Sequence, residues 1–447
     1  MTTEISREEL FNEIRTARSK RKNPDLSKKL LRDIDLSGED LLGVNLQNSE
    51  LPGCKLQGTN LRGANLQGCK LAGLNLQEAD LERADLQGAD LQGADLQKAN
   101  LRDSKLQKAN LEKVNLTEAT LERADLQKAT LKNIDLAGTN LREANLSGQD
   151  LHELALEKAM LQKANLNEVN LTAMQLPGID LSQTTLQGAN LEKANLRGAN
   201  LAGADLNSSP SFFGKLMSSG KGMTKLSGID LSEANLQGAQ LRQADLHTAE
   251  LSGANLSQAD LEEANLQGIN LQRVNLQKAN LQKVNLAEAD LQEANLEEAD
   301  LKMVDLQKAN LYRANLQRVD LQGSTLDQID LQEANLSEAN LVELNLHGAN
   351  LRAAHLRQAN LQSSNLQAIN LQGANLAGVN LQESQLQAAD LQGGNLQGAD
   401  LEGANLQGAN LQEADLRGTC LKRAKYSQET RWPEAFDPTL VKDLELL

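Results

Sequence analysis

The chain has 447 residues, a formal net charge of −16, and only 2% aromatic side chains against 40% hydrophobic ones. So few rings exclude a conventional globular core of this size, while the Leu and Ala content excludes disorder by composition. The acidic balance argues against binding nucleic acid through phosphates, and three cysteines are too few for a disulfide-built domain. No N-terminal apolar run and no stretch of 18 apolar residues is present, so neither a signal peptide nor a membrane span is expected.

Residues 1–25 open with Ser6-Arg7-Glu8-Glu9, a capping-box signature, and then place Leu10, Phe11 and Ile14 on one helical face. This reads as a short amphipathic helix that closes the N-terminal end of the fold. The basic run Arg18-Ser19-Lys20-Arg21-Lys22 reads as a solvated linker.

From Leu26 to Leu421 every fifth residue is Leu; of these eighty positions only Ser211 and Lys221 differ. A small or β-branched residue, usually Ala, stands two before each Leu, and Asp or Asn one before it, as in Ala84-Asp85-Leu86-Gln87-Gly88. A period of five fits neither the 3.6 of a helix nor the 2.0 of a strand. As a helix it would scatter Leu round every face. A chain that turns a corner every five residues buries one Leu and one Ala per side instead.

The A-(D/N)-L-X-X run resembles the pentapeptide-repeat proteins, of the cyanobacterial type, over about nine-tenths of the chain. The resemblance implies an all-β fold, a right-handed quadrilateral β-helix with 20 residues per coil and short helical caps. Side-chain columns agree with that step. Arg62, Glu82, Arg102, Glu122 and Arg142 alternate in sign, as do Arg83, Asp103, Arg123, Glu143 and Lys163, which suits adjacent parallel strands. Gln67, Gln87, Gln107 and Gln127 form one amide column, and Asn235, Asn255, Asn275, Asn295, Asn315 and Asn335 another. Twenty coils at about 4.8 Å predict a rod of about 95 Å.

Residues 26–206 and 226–424 are the two parts of this β-helix, separated by an insert at 207–225 with Pro210, Phe212, Phe213, three Gly, five Ser and no acid. Leu206 and Leu226 keep the five-residue phase, so the insert is either one degenerate coil or about three pentapeptides of loop; its composition favours the loop. Gly220-Lys221-Gly222 lacks the spacing and the hydroxyl residue of a phosphate loop. The candidate partner-binding residues here are Phe212, Phe213, Lys215 and Lys221, because exposed aromatics dominate binding hot spots.

Between Arg357 and Arg417 there is no Lys or Arg, while Glu383, Asp390, Asp400, Glu402, Glu413 and Asp415 fall in that stretch. Some bacterial members of the family resemble duplex DNA in shape and charge and bind DNA gyrase in its place. These six acids are therefore the alternative site, for a DNA-mimic modulator of a topoisomerase. Duplex DNA carries one charge per ~1.7 Å, about 56 over ~95 Å, whereas this chain offers 16. Only the C-terminal coils approach that density.

Residues 425–447 hold Tyr426, Trp432, Phe436 and a run of aliphatics. The segment resembles tails that close many cyanobacterial relatives, and a turn plus a short helix covering the last coil is expected. His152, His247, His347 and His355 lie far apart at outward positions, Cys54 and Cys69 sit in the inward slot, and Cys420 lies near the tail. No metal set or nucleophile–base pair converges. The expectation is a non-enzymatic interaction or scaffolding rod in the cytoplasm. It needs no cofactor, and it holds a protein partner of unknown identity through the insert or a rod face.

Overall fold

The structure, a computed structural model, describes residues 3–208 and 224–447. They divide into two compact units, Met1–Lys225 and Leu226–Leu447. Within each unit the chain is a β-helix solenoid: nearly every residue just before a repeat Leu bridges, in parallel, the residue 20 further on, in four rows.

One pentapeptide, Ala64 to Gly68, explains the repeat. Ala64 N–H donates to the Leu61 carbonyl (3.0 Å) and closes a four-residue turn. Asn65 N–H reaches back to the previous coil at the Val44 carbonyl (2.9 Å), while Leu66 and Gly68 N–H reach forward to the carbonyls of Asp85 (2.7 Å) and Gln87 (3.0 Å). The fifth donor, Gln67 N–H, is taken by the Asn65 side-chain oxygen (3.2 Å). All five N–H groups are satisfied, as buried or half-buried backbone requires. The Asp or Asn before each Leu is thus an Asx-turn acceptor, a role that Ala cannot fill.

The turn has a positive φ at its third residue, 60° at Gly63, which makes it type II. Among the described residues every glycine but Gly394 occupies this corner, two after a Leu. Lys, Glu, Arg and Gln fill most of the other corners at φ near 57°. Thr248, the one β-branched residue at such a corner, does not adopt the left-handed conformation; its hydroxyl accepts the Gly228 N–H at 3.0 Å.

Every described repeat Leu except Leu416 is buried in a stacked column, with Leu81, Leu86 and Leu91 at 0% exposure, and the small residue two before each shares the interior. Each buried Leu contributes about 1.5–3 kcal/mol, so stability is spread along each unit. Where Ser or Thr enters the small slot, its hydroxyl can donate to the Leu carbonyl 23 residues back, as Ser49 does to Leu26 and Ser364 to Leu341, both at 2.7 Å.

Outside, Arg62–Glu82 (3.1 Å), Arg102–Glu122 (3.3 Å) and Arg123–Asp103 (2.7 Å) join successive coils, and the Asn235–Asn335 column is a continuous amide ladder at 3.0–3.3 Å. The glutamine column behaves differently. Gln67 and Gln107 donate diagonally to Asp85 and Asp125, 18 residues on, because a carboxylate is the better acceptor.

At the start, β1 (Thr3–Glu4) pairs with β2 (Lys29–Leu30) and α1 (Arg7–Ser19) lies between them in the chain, with the reciprocal Ser6–Glu9 capping box formed. Leu10 and Ile14 are buried, whereas Phe11 stays half-exposed beneath the Arg7 guanidinium, 4.7 Å from its ring centre. At the other end the tail makes a further coil rather than an α-helical lid. Here β3 (Lys425–Tyr426) pairs with β4 (Glu445–Leu446), and the helix is a single 3₁₀ turn, Pro438–Leu440. Trp432 stacks on Phe436 (4.9 Å) and meets Tyr426 edge-on (5.7 Å), while Leu440 is 82% exposed.

Candidate functional site

The largest departure from the 20-residue step lies at the end of unit 1. Asn190 bridges Lys225, 35 residues on, with Leu191 N–H to the Lys225 carbonyl and Lys225 N–H to the Ala189 carbonyl, both 2.9 Å. Lys225 therefore takes the ladder place that position 210 holds in an unbroken count, and the fifteen residues 209–223 are not needed for this pairing. The described residues on either side of 209–223 are tied together. Thr224 Oγ1 donates to the Asn207 carbonyl (2.8 Å) and accepts the Gly188 N–H (3.0 Å), closing a neck against the coil below. Thr224 is the residue that sequence reasoning missed; its position one before a ladder residue, in the small slot, is the signal that marks it. Phe212, Phe213, Lys215 and Lys221 lie outside the described residues.

The six acids of the alternative site do not form one surface. Glu383, Asp400 and Glu402 come together beside the cations of the following coil. Arg423 contacts Glu402 (2.9 Å) and Glu383 (3.9 Å), and Lys422 contacts Glu402 (3.4 Å). Asp390 and Glu413 sit two pentapeptides further round the coil, and Asp415 sits one further still. Asp390 accepts the Gln372 and Asn410 side-chain amides (2.6 and 3.0 Å), and Asp400 accepts that of Gln382 (2.6 Å). Asp415 chelates the Arg417 guanidinium, whose hydrogen bonds hold its carboxyl down to about 2.

Asp400, Glu402 and Cys420 bring one oxygen or sulfur atom each within 4.8 Å of one another. Glu402 is already committed to Lys422 and Arg423 in that group. The histidines are local. His152 Nδ1 meets Asp150 at 2.6 Å and His247 Nδ1 meets Asp245 at 2.7 Å, each two residues away. Cys54 and Cys69 are buried in the small slot, and burial pushes the Cys69 thiol up to about 12. No helix among the described residues is long and apolar enough to cross a membrane.

A second irregularity lies earlier in unit 1, around Gln149 to Asp180. Two recesses open there, of about 350 Å³ beside Leu131, Gln149 and His152 and about 440 Å³ beside Met160, Leu176 and Ile179. The amide Nε2 of buried Gln149 donates to the carbonyls of Leu126 (2.6 Å) and Ala129 (3.1 Å). In a regular coil the Ala129 carbonyl would serve the Asp150 N–H.

Comparisons with known proteins agree with the repeat. The family profile described as Pentapeptide repeats matches copies across residues 30–167, 175–209, 224–328 and 384–423, and that of a Pentapeptide repeat region matches 314–391. Among solved structures, the chain is similar to HetL, a pentapeptide-repeat protein involved in heterocyst differentiation regulation in the cyanobacterium Nostoc sp. strain PCC 7120. Identity is 32%, over 57% of this chain and 90% of that one, at a TM-score of 0.27. It is also similar to the Nostoc pentapeptide-repeat protein alr5209 (36% identity, 26% of this chain and 84% of that one, TM-score 0.13). QnrB1, a plasmid-mediated fluoroquinolone resistance protein, matches at 17% identity over 50% of this chain and 90% of that one, TM-score 0.18. The search of curated proteins returned no match. With repeat matches covering most of its length and its corners built from the same five-residue unit, the chain belongs to the pentapeptide-repeat family.

Proposed function

We propose that this chain is a non-enzymatic interaction scaffold, in which a right-handed, four-sided β-helix presents residues 209–223 to a protein partner. The observation that carries this reading is the 35-residue bridge from Asn190 to Lys225. The described coils of unit 1 keep their pairing with Lys225 in the place of position 210. Residues 209–223 hold two of the chain's four phenylalanines, Phe212 and Phe213, with Lys215 and Lys221 beside them. Aromatic side chains, Phe among them, are enriched at protein-binding interfaces. One bridge row per pentapeptide supports the four-sided cross-section.

The acidic alternative, a DNA mimic for gyrase, draws less support. Its residues are spread round the coil, and Glu383, Glu402 and Asp415 already face guanidinium or ammonium groups.

The test is a pair of chains, one native and one lacking residues 209–223, so that Thr224 follows Ser208. The shortened chain should fold with an unchanged far-UV spectrum and lose the partner that the native chain holds in cross-linked lysate. Equal recovery of every partner by both chains would move the site to a rod face.

A further inference from the structure

We infer that long side chains in the small-residue slot act as props that hold the coil-to-coil ladder open between Leu126 and Asp180, making this segment the place where unit 1 separates first. Within the two units, and among the described residues, five expected bridges are absent: Thr130–Asp150, Ala155–Gln175, Met160–Asp180, Glu250–Asn270 and Thr325–Asn345. The slot just before the second partner holds Gln149, Met174, Ile179, Ile269 and Leu344 in turn. Wherever that slot holds Gly, Ala, Ser, Cys, Thr or Val within a unit, the bridge is present.

The effect is graded, as a packing cause requires. Leu74, Ile134 and Leu154 keep their bridges, yet Asn75, Asp135 and Ala155 N–H do not reach the preceding coil's slot carbonyl, a bond that Asn65 and Asp85 make at 2.9 Å. Ile329 and Ile369 are accommodated: their bridges are present, and the N–H of the residue after each still reaches the preceding coil's slot carbonyl, Asp330 at 3.1 Å and Asn370 at 3.0 Å. The interior is close-packed around Leu and Ala, so a longer side chain is absorbed by displacing the strand rather than by filling a void.

Only between Leu126 and Asp180 do three such breaks fall within successive coils. They coincide with the two recesses, and the segment from Gln149 to Gln162 borders both. The breaks are bounded, because Asp150–Asn170 and Asn165–Thr185 still bridge. Gln149 adds a second device. It replaces a backbone donor at the Ala129 carbonyl with a side-chain amide that releases by rotation, without unfolding a coil. The result is a local opening built into an otherwise uniform solenoid, where amide groups become available while both neighbouring coils stay intact.

Amide-resolved hydrogen exchange on the full chain tests this. Leu131, Leu156 and Leu161 N–H lack the forward bond that Leu81, Leu86 and Leu91 make at 2.7–2.9 Å, and should exchange at least 100-fold faster than those three. In the Met174→Ala/Ile179→Ala chain, Leu156 and Leu161 should slow at least tenfold while Leu131, beside the intact Gln149, stays fast. A prop placed in a regular coil, Ala84→Met, should speed Leu66, whose N–H bonds to Asp85, at least tenfold. Equal protection of the two Leu sets would overturn the inference. So would unchanged Leu156 and Leu161 exchange in a folded double variant. If that variant fails to fold, Ala84→Met decides alone, and no acceleration at Leu66 would refute the prop.

Discussion

Gly348 and Ala353 occupy equivalent corners of successive pentapeptides, at φ 66° and 56°. Both are exposed, and both donate a ladder bond, to Gln367 at 2.9 Å and Gln372 at 2.8 Å. A Cβ built on Gly348 meets nothing within 4 Å, so exchanging Gly and Ala here changes backbone preference and little else. A left-handed residue with a Cβ costs about 1–2 kcal/mol, while the more restricted unfolded chain returns about 0.4–1 kcal/mol. Gly348→Ala should therefore destabilise by roughly 0.5–1 kcal/mol, and Ala353→Gly should stabilise by a similar amount. Urea denaturation of both variants reads the effect, with an unchanged m value showing that the same surface is exposed. A neutral or stabilising Gly348→Ala would refute the corner geometry.

Leu296→Ala, at a 0% exposed position in a regular coil of unit 2, should cost about 2.7–5 kcal/mol in the same assay; a loss under ~1 kcal/mol would mean the Leu column is not close-packed. His152 is held above its ordinary pKa by its hydrogen bond to Asp150. A raised folded pKa stabilises fully below the unfolded value and is lost as pH rises through the folded one. An NMR titration should place His152 above 6.5 and bring it down in Asp150→Asn; an unmoved titration would contradict the pair. A thiol reagent should find Cys420 at once in the native protein and Cys54 and Cys69 only after unfolding, because buried thiols are inert. Rapid native reaction of all three would place the small slot at the surface.

The Leu period and the 20-residue charge columns were legible because each follows from one strong constraint, burial or like-charge repulsion. The capping box at Ser6 was equally local. Corner geometry was harder to read, because Lys and Glu tolerate the left-handed region nearly as often as Gly fills it here; the signal is that, among the described residues, every glycine but Gly394 stands two after a Leu. Spacing alone places Phe11 on the same face as buried Leu10 and Ile14, whereas beneath Arg7 it stays half-exposed. The tail misled for a related reason. Its apolar residues suggested a covering helix, but Glu445 pairs 20 residues after Lys425 and continues the coil. The insert resisted a reading because fifteen residues are three whole pentapeptides, so the Leu phase on its far side is the same whether the chain coils or leaves the ladder. Only strand pairing distinguishes the two.

That pairing is open to a direct chemical test. Bridged partners lie about 4.8 Å apart, within the Cα range of about 4.4–6.8 Å for a disulfide. With the native cysteines replaced by Ala, two chains would be oxidised in parallel: Asn190→Cys/Lys225→Cys and Asn190→Cys/Pro210→Cys. An intrachain disulfide should form in the first chain, and the second should keep free thiols. A disulfide formed to position 210 and not to position 225 would return residues 209–223 to the ladder and remove the basis of the proposed function.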